Sequence, residues 1–339
     1  MAFEKTIGEP FARIGKAGSA CDNPATEACA IVIFGASGDL TRRKLIPALY
    51  YLFKNKLLSD GFFVLGLART SLSEEAFRAS LEEAVKDNKG FDARAWAEFA
   101  KRLYYLQTGY DAQSLKKACD VMDEKARLHS TGANRIIYLS TPPSAYEGVI
   151  SSVAASGLAA QERGWARIVI EKPYGRDIES ALALEERVSK HFREEQIFRI
   201  DHYLGKDTVQ NIMMFRFANS IFEPVWNRHF IDHVQITASE SLGIEKRAGY
   251  YEEAGVLRDM FQNHMLQVLS FVGMEPPAVY ESETVRDERI KVFRAMRPFD
   301  EGSVRDNLVL GQYAEGEVSG ALASGYRDEQ GVSKGSIVP

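Results

Sequence analysis

The chain has 339 residues, 45% of them hydrophobic and 26% charged, which is material for one large or two ordinary globular domains with buried cores. Its net charge of −5 argues against nucleic acid or an anionic membrane surface as main partner, so an anionic ligand must be held by a local basic cluster. No apolar run approaches the ~18 residues of a membrane span, and the cysteines (Cys21, Cys29, Cys119) match no metal or redox spacing, which points to a reduced compartment.

Residues 1–29 contain Gly8, Pro10, Gly15, Gly18 and Pro24 without a continuous apolar segment. They read as a flexible extension rather than a signal peptide. Order begins at Ala30-Ile31-Val32-Ile33-Phe34, a β-branched apolar run expected to be a strand buried on both faces. It leads into Gly35-Ala36-Ser37-Gly38-Asp39-Leu40 and a helical pattern with Leu45, Leu49, Leu52 and Phe53 on one side. Strand, glycine turn and helix together can hold a pyrophosphate on backbone N–H groups. The spacing is GxxGxL rather than GxGxxG, so a plain strand–helix turn stands beside that reading. Pro47 should kink the helix or delay its regular part.

A second strand, Phe62–Ala68, ends at Arg69. A cation there, with Arg42 and Arg43 near the turn, favours a ribose 2′-phosphate and hence NADP over NAD; a surface arginine is the alternative. Helices are expected at about Ser73–Val85, Ala93–Leu103 and Leu115–Leu128, followed by a third strand, Arg135–Leu139, stopped by Thr141-Pro142-Pro143. Helix Ala145–Ser156 and strand Ala166–Ile170 come next, and the strand ends in Glu171-Lys172-Pro173. A cis bond before Pro173 would aim Lys172 into the crevice. Helix Ile178–Arg193 leads to an apolar run ending at Ile200. This βα alternation predicts a Rossmann-type, doubly wound parallel sheet.

Beyond lies the densest chemistry of the chain, Asp201-His202-Tyr203-Leu204-Gly205-Lys206, a polar cluster at the end of a strand, where open α/β sheets bind ligands. The expected elements after it are a helix Thr208–Phe222 and a long alternating strand Phe230–Glu240, with Glu240 on the covered face. A helix Tyr250–Val272 carries an apolar stripe of Leu257, Phe261, Val268 and Phe271 with His264 in its middle; Arg258 and Asp259 flank the stripe. A helix Ser282–Met296 and a short strand Leu308–Tyr313 follow. Residues 315–339 are Gly/Ser-rich and read as a loop, so this region forms an incomplete α+β domain with an antiparallel sheet. His229 and His233 have no further donors near them in sequence, and no metal site is expected.

Four stretches together, Gly35–Leu40, Glu171-Lys172-Pro173-Tyr174-Gly175-Arg176-Asp177, Arg199–Lys206 and Arg258-Asp259-Met260-Phe261-Gln262-Asn263-His264, resemble the glucose-6-phosphate 1-dehydrogenase family from about residue 30 onward. The resemblance implies oxidation of glucose 6-phosphate at C1 to a lactone, with hydride transfer to NADP, in the cytoplasm. It implies His264 as base and Asp201 as the carboxylate that orients it. His202, Tyr203 and Lys206 would hold the phosphate, with Leu204 and Gly205 in the same turn, while Glu240 and Asp259 accept from sugar hydroxyls. Lys172 would lie between sugar and coenzyme. Gly35, Ala36, Ser37, Gly38, Asp39, Leu40, Thr41 and Arg42, with Arg69 and Tyr138, would bind the coenzyme. The implied layout is an NADP-binding domain over 30–201, a partial substrate and dimerisation domain over 202–314, and a loop-like end over 315–339. Family members continue into further sheet carrying more phosphate ligands and the interface of a homodimer or tetramer, so this chain resembles a truncated form. The rival expectations are an inactive NADP-binding fragment, and a related sugar or aldehyde oxidoreductase that also ends a strand in Glu-Lys-Pro.

Overall fold

The computed structural model describes residues 26–86, 90–240, 243–244 and 247–338. Cys21 and the expected extension, up to residue 25, fall outside the described residues. The chain forms two compact units, and the break between them falls after Ile200.

The first unit is built on a six-stranded sheet. Its strands are β1 (Cys29–Phe34), β2 (Phe62–Ala68), β3 (Leu103–Gln107), β4 (Arg135–Leu139), β5 (Ala166–Glu171) and β6 (Ile197–Ile200), all paired parallel in the order β3-β2-β1-β4-β5-β6. Alternate β1 residues enter two different cores. Ala30, Val32 and Phe34 pack with Leu115, Met122, Val149 and Ile150, while Ile31 and Ile33 pack with Phe77, Leu81, Trp96 and Phe99. A strand covered by helices on both faces must be apolar throughout, which is why the run 30–34 has no polar position.

The helices are α1 (Ile46–Lys54), α2 (Glu74–Lys86), α3 (Ala93–Ala100), α4 (Ala112–His129), α5 (Tyr146–Ser156) and α6 (Ile178–Ser189). Pro47 sits in the first turn of α1, behind a π-helical turn Thr41–Leu45, so the regular helix is delayed as expected. Strand β3 corrects the sequence reading, which carried a helix through Leu103. Helix α3 stops at Ala100, and Leu103-Tyr104-Tyr105 turn inward to pair with Val64, Leu65 and Gly66. A short apolar run does not by itself distinguish a buried strand from a helix end.

In the second unit α7 spans Asp207–Phe217. The expected strand Phe230–Glu240 is absent: 232–240 carry no regular structure, and Phe230 and Val234 are exposed. Alternation marks a surface suited to a sheet, but a strand forms only with a ladder partner, and among the described residues none lies beside it. The expected helix Tyr250–Val272 is three pieces: α8 (Ala248–Val256), a π-helical stretch Leu257–Met265, and α9 (Leu266–Gly273). Gly255, at φ 62° and ψ 173°, breaks the first junction. Leu257 and Phe261 are exposed, so the stripe is not a buried face.

Helices α10 (Ser282–Ala295) and α11 (Glu301–Asn307) follow. Leu308–Tyr313 is not a strand. Instead β7 (Gly316–Val318) and β8 (Ala321–Ala323) make an antiparallel hairpin inside the segment read as a loop. Its two turn residues, Ser319 and Gly320, have φ of 54° and 83°, the left-handed pair that a tight hairpin turn requires. The end of the chain is also packed. Tyr326 is buried with Ile244 and Ala248, and Glu252 accepts from Tyr326 Oη at 2.6 Å and Ser336 Oγ at 2.7 Å. Among the described residues no helix is long and apolar enough to cross a membrane.

Candidate active site

In the first unit the site residues gather beyond the carboxyl ends of the strands. Strand order reverses between β1 and β4, the switch point where open sheets form a ligand crevice. Gly35 follows β1 directly at φ 81°, and a Cβ there would sit 2.4 Å from Ser140 O, just past β4. Only glycine fits this turn. The Gly35 N–H donates to Leu67 O (2.8 Å) and to Tyr110 Oη (3.0 Å), and buried Thr41 donates to Ser140 Oγ (3.2 Å). Ala36 is buried, whereas Ser37, Asp39, Arg42 and Arg43 are exposed and Gly38 and Leu40 are half-buried. The amides of Ser37, Asp39 and Leu40 open the helix, where N–H groups lack intrahelical acceptors and suit a phosphate. This donor-rich turn, with glycine at 35 and 38, fits a dinucleotide.

Arg69 is exposed directly after β2, and the neighbouring Thr70 hydroxyl lies 3.0 Å from Ser37 Oγ. Arg43 pairs with Asp39 at 2.7 Å. At the other side of the switch point Tyr138 Oη donates to Glu171 Oε1, and Tyr146 Oη donates to the Glu171 carbonyl at 3.2 Å. Burial, then the Glu171 carboxylate, pushes the Tyr138 phenol well above its ordinary range, so it stays protonated. Lys172 follows β5, and the Lys172–Pro173 bond is cis. Sequence reasoning passed over Tyr110, Thr70 and Glu171 as partners in this crevice. Only strand register brings them to the residues it named.

In the second unit Asp201 and His264, 63 positions apart, are in contact. His264 Nδ1 lies 2.5 Å from Asp201 Oδ1. The carboxylate only accepts, so Nδ1 carries the proton and Nε2 is left as the acceptor. His264 is 1% exposed on the π-helical stretch, a distortion that often marks functional sites. Asp201 Oδ1 also accepts the Tyr203 N–H at 3.0 Å, capping the short helix His202–Gly205. The Tyr203 ring stacks on the imidazole, with centroids 3.9 Å apart and planes 14° from parallel, and the Lys206 ammonium sits 3.4 Å from the Tyr203 centroid. His202 meets His264 edge-on at 4.7 Å. Leu204 is half-buried and Gly205 exposed in the same turn.

The Tyr203 hydroxyl donates to exposed Glu240 at 3.2 Å, so Glu240 reaches the cluster from irregular chain rather than from a sheet. Asp259 is 5% exposed, accepts from Tyr250 Oη at 3.1 Å and faces Arg247 at 3.9 Å. Burial, then Asp259, raises the Tyr250 phenol. Arg258 points elsewhere, toward Glu253 O at 3.4 Å. Arg289, stacked on Phe271 and donating to Ser270 Oγ at 2.9 Å, adds a positive charge that interacts with Asp201. Tyr250, Arg247 and Arg289 carried no sequence signal. Asp201, His202 and His264 each bring a possible ligand atom within 4.8 Å of the others, but Asp201 Oδ1 is already committed to two donors.

Comparison with known proteins agrees with these features. A family model described as glucose-6-phosphate dehydrogenase, NAD binding domain, matches residues 32–211, and one for the C-terminal domain of the same enzyme matches 213–339. A glucose-6-phosphate 1-dehydrogenase of Aggregatibacter actinomycetemcomitans is 48% identical over 90% of this chain and 62% of its own length. That of Chlamydia pneumoniae is 44% identical over 91% of this chain and 61% of its own. A solved glucose-6-phosphate dehydrogenase in complex with glucose 6-phosphate superimposes with a TM-score of 0.83 at 35% identity, over 94% of this chain and 64% of that one. The enzyme from Mycobacterium avium gives 0.78 at 33% identity, over 92% and 64%. The chain therefore spans about three-fifths of the length of these curated relatives. With its family models covering 32–211 and 213–339, the chain belongs to the glucose-6-phosphate dehydrogenase family.

Proposed function

We propose that the chain carries the coenzyme crevice and the acid–base centre of a glucose-6-phosphate 1-dehydrogenase that oxidises the C1 hydroxyl of glucose 6-phosphate to 6-phosphoglucono-1,5-lactone. The observation that carries this reading is the contact of buried His264 with half-buried Asp201. His264 Nε2 takes the C1 hydroxyl proton while the C1 hydride leaves; Asp201 fixes the tautomer and stabilises the imidazolium that forms. Bound NADP supplies the hydride acceptor. Tyr203 holds the imidazole plane by stacking, and Lys206 with His202 supplies charge-assisted donors for the 6-phosphate. Glu240 and Asp259, already oriented by Tyr203 and Tyr250, accept from sugar hydroxyls. Lys172, directly after β5, serves the coenzyme crevice. In the first unit the glycine turn takes the pyrophosphate, and Arg69 with Arg42 takes the 2′-phosphate, which favours NADP over NAD. The free thiols Cys29 and Cys119 suit a reduced, cytoplasmic setting.

The test is NADPH formation from NADP and glucose 6-phosphate by the purified chain, followed spectrophotometrically, beside His264→Asn. Turnover that falls about 10²–10⁴-fold in the variant, with binding of glucose 6-phosphate retained in a direct titration, supports the assignment. Near-normal turnover in the variant removes His264 as the base. Coenzyme binding by the wild type with no turnover at saturating sugar phosphate rejects catalysis by this chain.

A further inference from the structure

Helix α8 is gripped on two faces. Arg247, just before the helix, and Tyr250, three positions on, meet Asp259: Tyr250 Oη donates to Asp259 Oδ1 at 3.1 Å, and the Arg247 guanidinium lies 3.9 Å from Oδ2. Ala248, Tyr251 and Glu252, at i, i+3 and i+4, share another face, and residues from the last part of the chain pack on it. Ala248 is buried beside Tyr326, the Tyr251 and Tyr326 rings lie 5.9 Å apart, and Val332 and Val338 pack with them. Glu252 Oε1 accepts from the Tyr326 hydroxyl at 2.6 Å and from the Ser336 hydroxyl at 2.7 Å. Tyr326 and Ser336 are 2% and 6% exposed, so both bonds are shielded from water, where losing a partner costs most. A helix of 9 residues that breaks at Gly255 has little hold of its own. Its rotation is set by what grips it. Because the two faces share one backbone, a rotation that frees Glu252 also swings Tyr250 and Arg247 away from Asp259.

We infer that Glu252 is a positioning residue for the sugar-binding side of the site: held by Tyr326 and Ser336, it sets the rotation of α8 and so places the Tyr250 hydroxyl that orients Asp259. The inference rests on the proposed role of Asp259 as an acceptor for sugar hydroxyls.

The experiment is isothermal titration of glucose 6-phosphate, without coenzyme, into the whole chain. The proteins are the wild type, Glu252→Ala, Glu252→Gln, Tyr326→Phe, Asp259→Asn and the double variant Glu252→Ala/Asp259→Asn, each checked by circular dichroism. Glu252→Ala loses both bonds and should weaken the sugar phosphate about 10-fold, whereas Glu252→Gln keeps an acceptor oxygen and should stay within about 3-fold of wild type. In the Asp259→Asn background, Glu252→Ala should cost less than about 2-fold more, because the residue acts through Asp259. Should Glu252→Ala lose its fold, Tyr326→Phe, which removes one bond at nearly constant shape, takes its place in the cycle with an expected loss of about 3-fold. A full loss in the Asp259→Asn background, or wild-type affinity in Glu252→Ala, overturns the inference while the weakened Asp259→Asn leaves the sugar reading standing. Wild-type affinity in Asp259→Asn removes Asp259 as a sugar acceptor and the inference with it. Absence of binding to the wild type overturns both.

Discussion

Replacing Gly35 by alanine tests whether the turn after β1 is the geometric origin of the coenzyme crevice. The new Cβ would lie 2.4 Å from Ser140 O and 2.9 Å from its carbonyl carbon, whereas carbon and carbonyl oxygen approach to about 3.3 Å. Either the turn or the end of β4 must therefore retreat by roughly 1 Å. The turn is held by the Gly35 N–H bond to Leu67 O and by Thr41 on Ser140, and β4 by Ser140 N–H on Phe34 O at 2.9 Å. Losing one such bond costs about 1 kcal/mol. The φ of 81° adds about 1–2 kcal/mol for any residue with a Cβ. Together these give a loss of about 2–4 kcal/mol in stability, readable as a lower urea midpoint at unchanged m-value. Because the turn that would shift carries the Ser37, Asp39 and Leu40 amides proposed for the pyrophosphate, NADPH affinity, followed by its fluorescence, should drop at least about 10-fold. Gly38→Ala is the companion: its Cβ meets only Gly35 O, at 3.0 Å and without positive φ. It should leave stability within about 1 kcal/mol while still weakening the coenzyme. A Gly35→Ala protein as stable as wild type and equally tight for NADPH would show that the turn is not what shapes the site.

Three further outcomes are expected. Arg69→Ala should weaken NADP at least about 10-fold while leaving NAD nearly unchanged; equal losses for the two coenzymes would undo the 2′-phosphate assignment. Burial pushes the Cys29 thiol up from 9.0 to about 11. The unfolded chain then releases this proton first as pH rises, so the contribution is intact below pH 9 and fades toward pH 11, by about 1.4 kcal/mol per unit. Urea melts across that window should show a shallower decline for Cys29→Ala than for wild type, and parallel curves would refute the point. Tyr203→Phe keeps the ring against His264 and loses the bond to Glu240, whereas Tyr203→Leu loses both. Turnover should survive in the first within about 10-fold and fall much further in the second, and equal rates would dismiss the stack as the element that orients the base.

The first unit was legible because its signals are local. Strands β1, β2, β4 and β5 are short, largely apolar runs closed by Gly, Arg, Thr-Pro or Lys-Pro; β1 and β2 are buried throughout, β4 and β5 at alternate positions. Strand β3 was lost because only Lys101 and Arg102 separate it from α3, and its Leu-Tyr-Tyr-Leu core continues the apolar content of the helix. The dyad shows the other limit. On periodicity His264 is a residue of an apolar stripe, and at 1% exposure it is as buried as any core side chain. Only the carboxylate from 63 residues away distinguishes it, and motif resemblance rather than spacing pointed there. Glu171 was named only as part of a motif: its link to Tyr138 depends on the parallel register that pairs Tyr138 with Val169, two residues before it.

The second unit resisted the sequence for a reason that bears on how its site is held. Alternation over Phe230–Glu240 states which side chains seek cover, but a ladder is completed by another strand, and that information lies outside the segment itself. The tail errs in the opposite direction. Small residues over 315–339 hide a hairpin whose only local signal is Ser319-Gly320, and a buried Tyr326 whose partner, Glu252, is 74 residues away. The polar contacts of the candidate site, by contrast, come from caps, stacks and carboxylate bonds between short segments: Asp201 on Tyr203 N–H, Tyr203 on His264 and Glu240, Tyr250 on Asp259. None of these needs a sheet. Site geometry and sheet completeness are thus separable in this unit. Variants at Tyr203 or Tyr250 should alter the site without changing the hairpin, and variants at Gly320 should do the reverse, so circular dichroism and ligand titration on the two sets should respond independently.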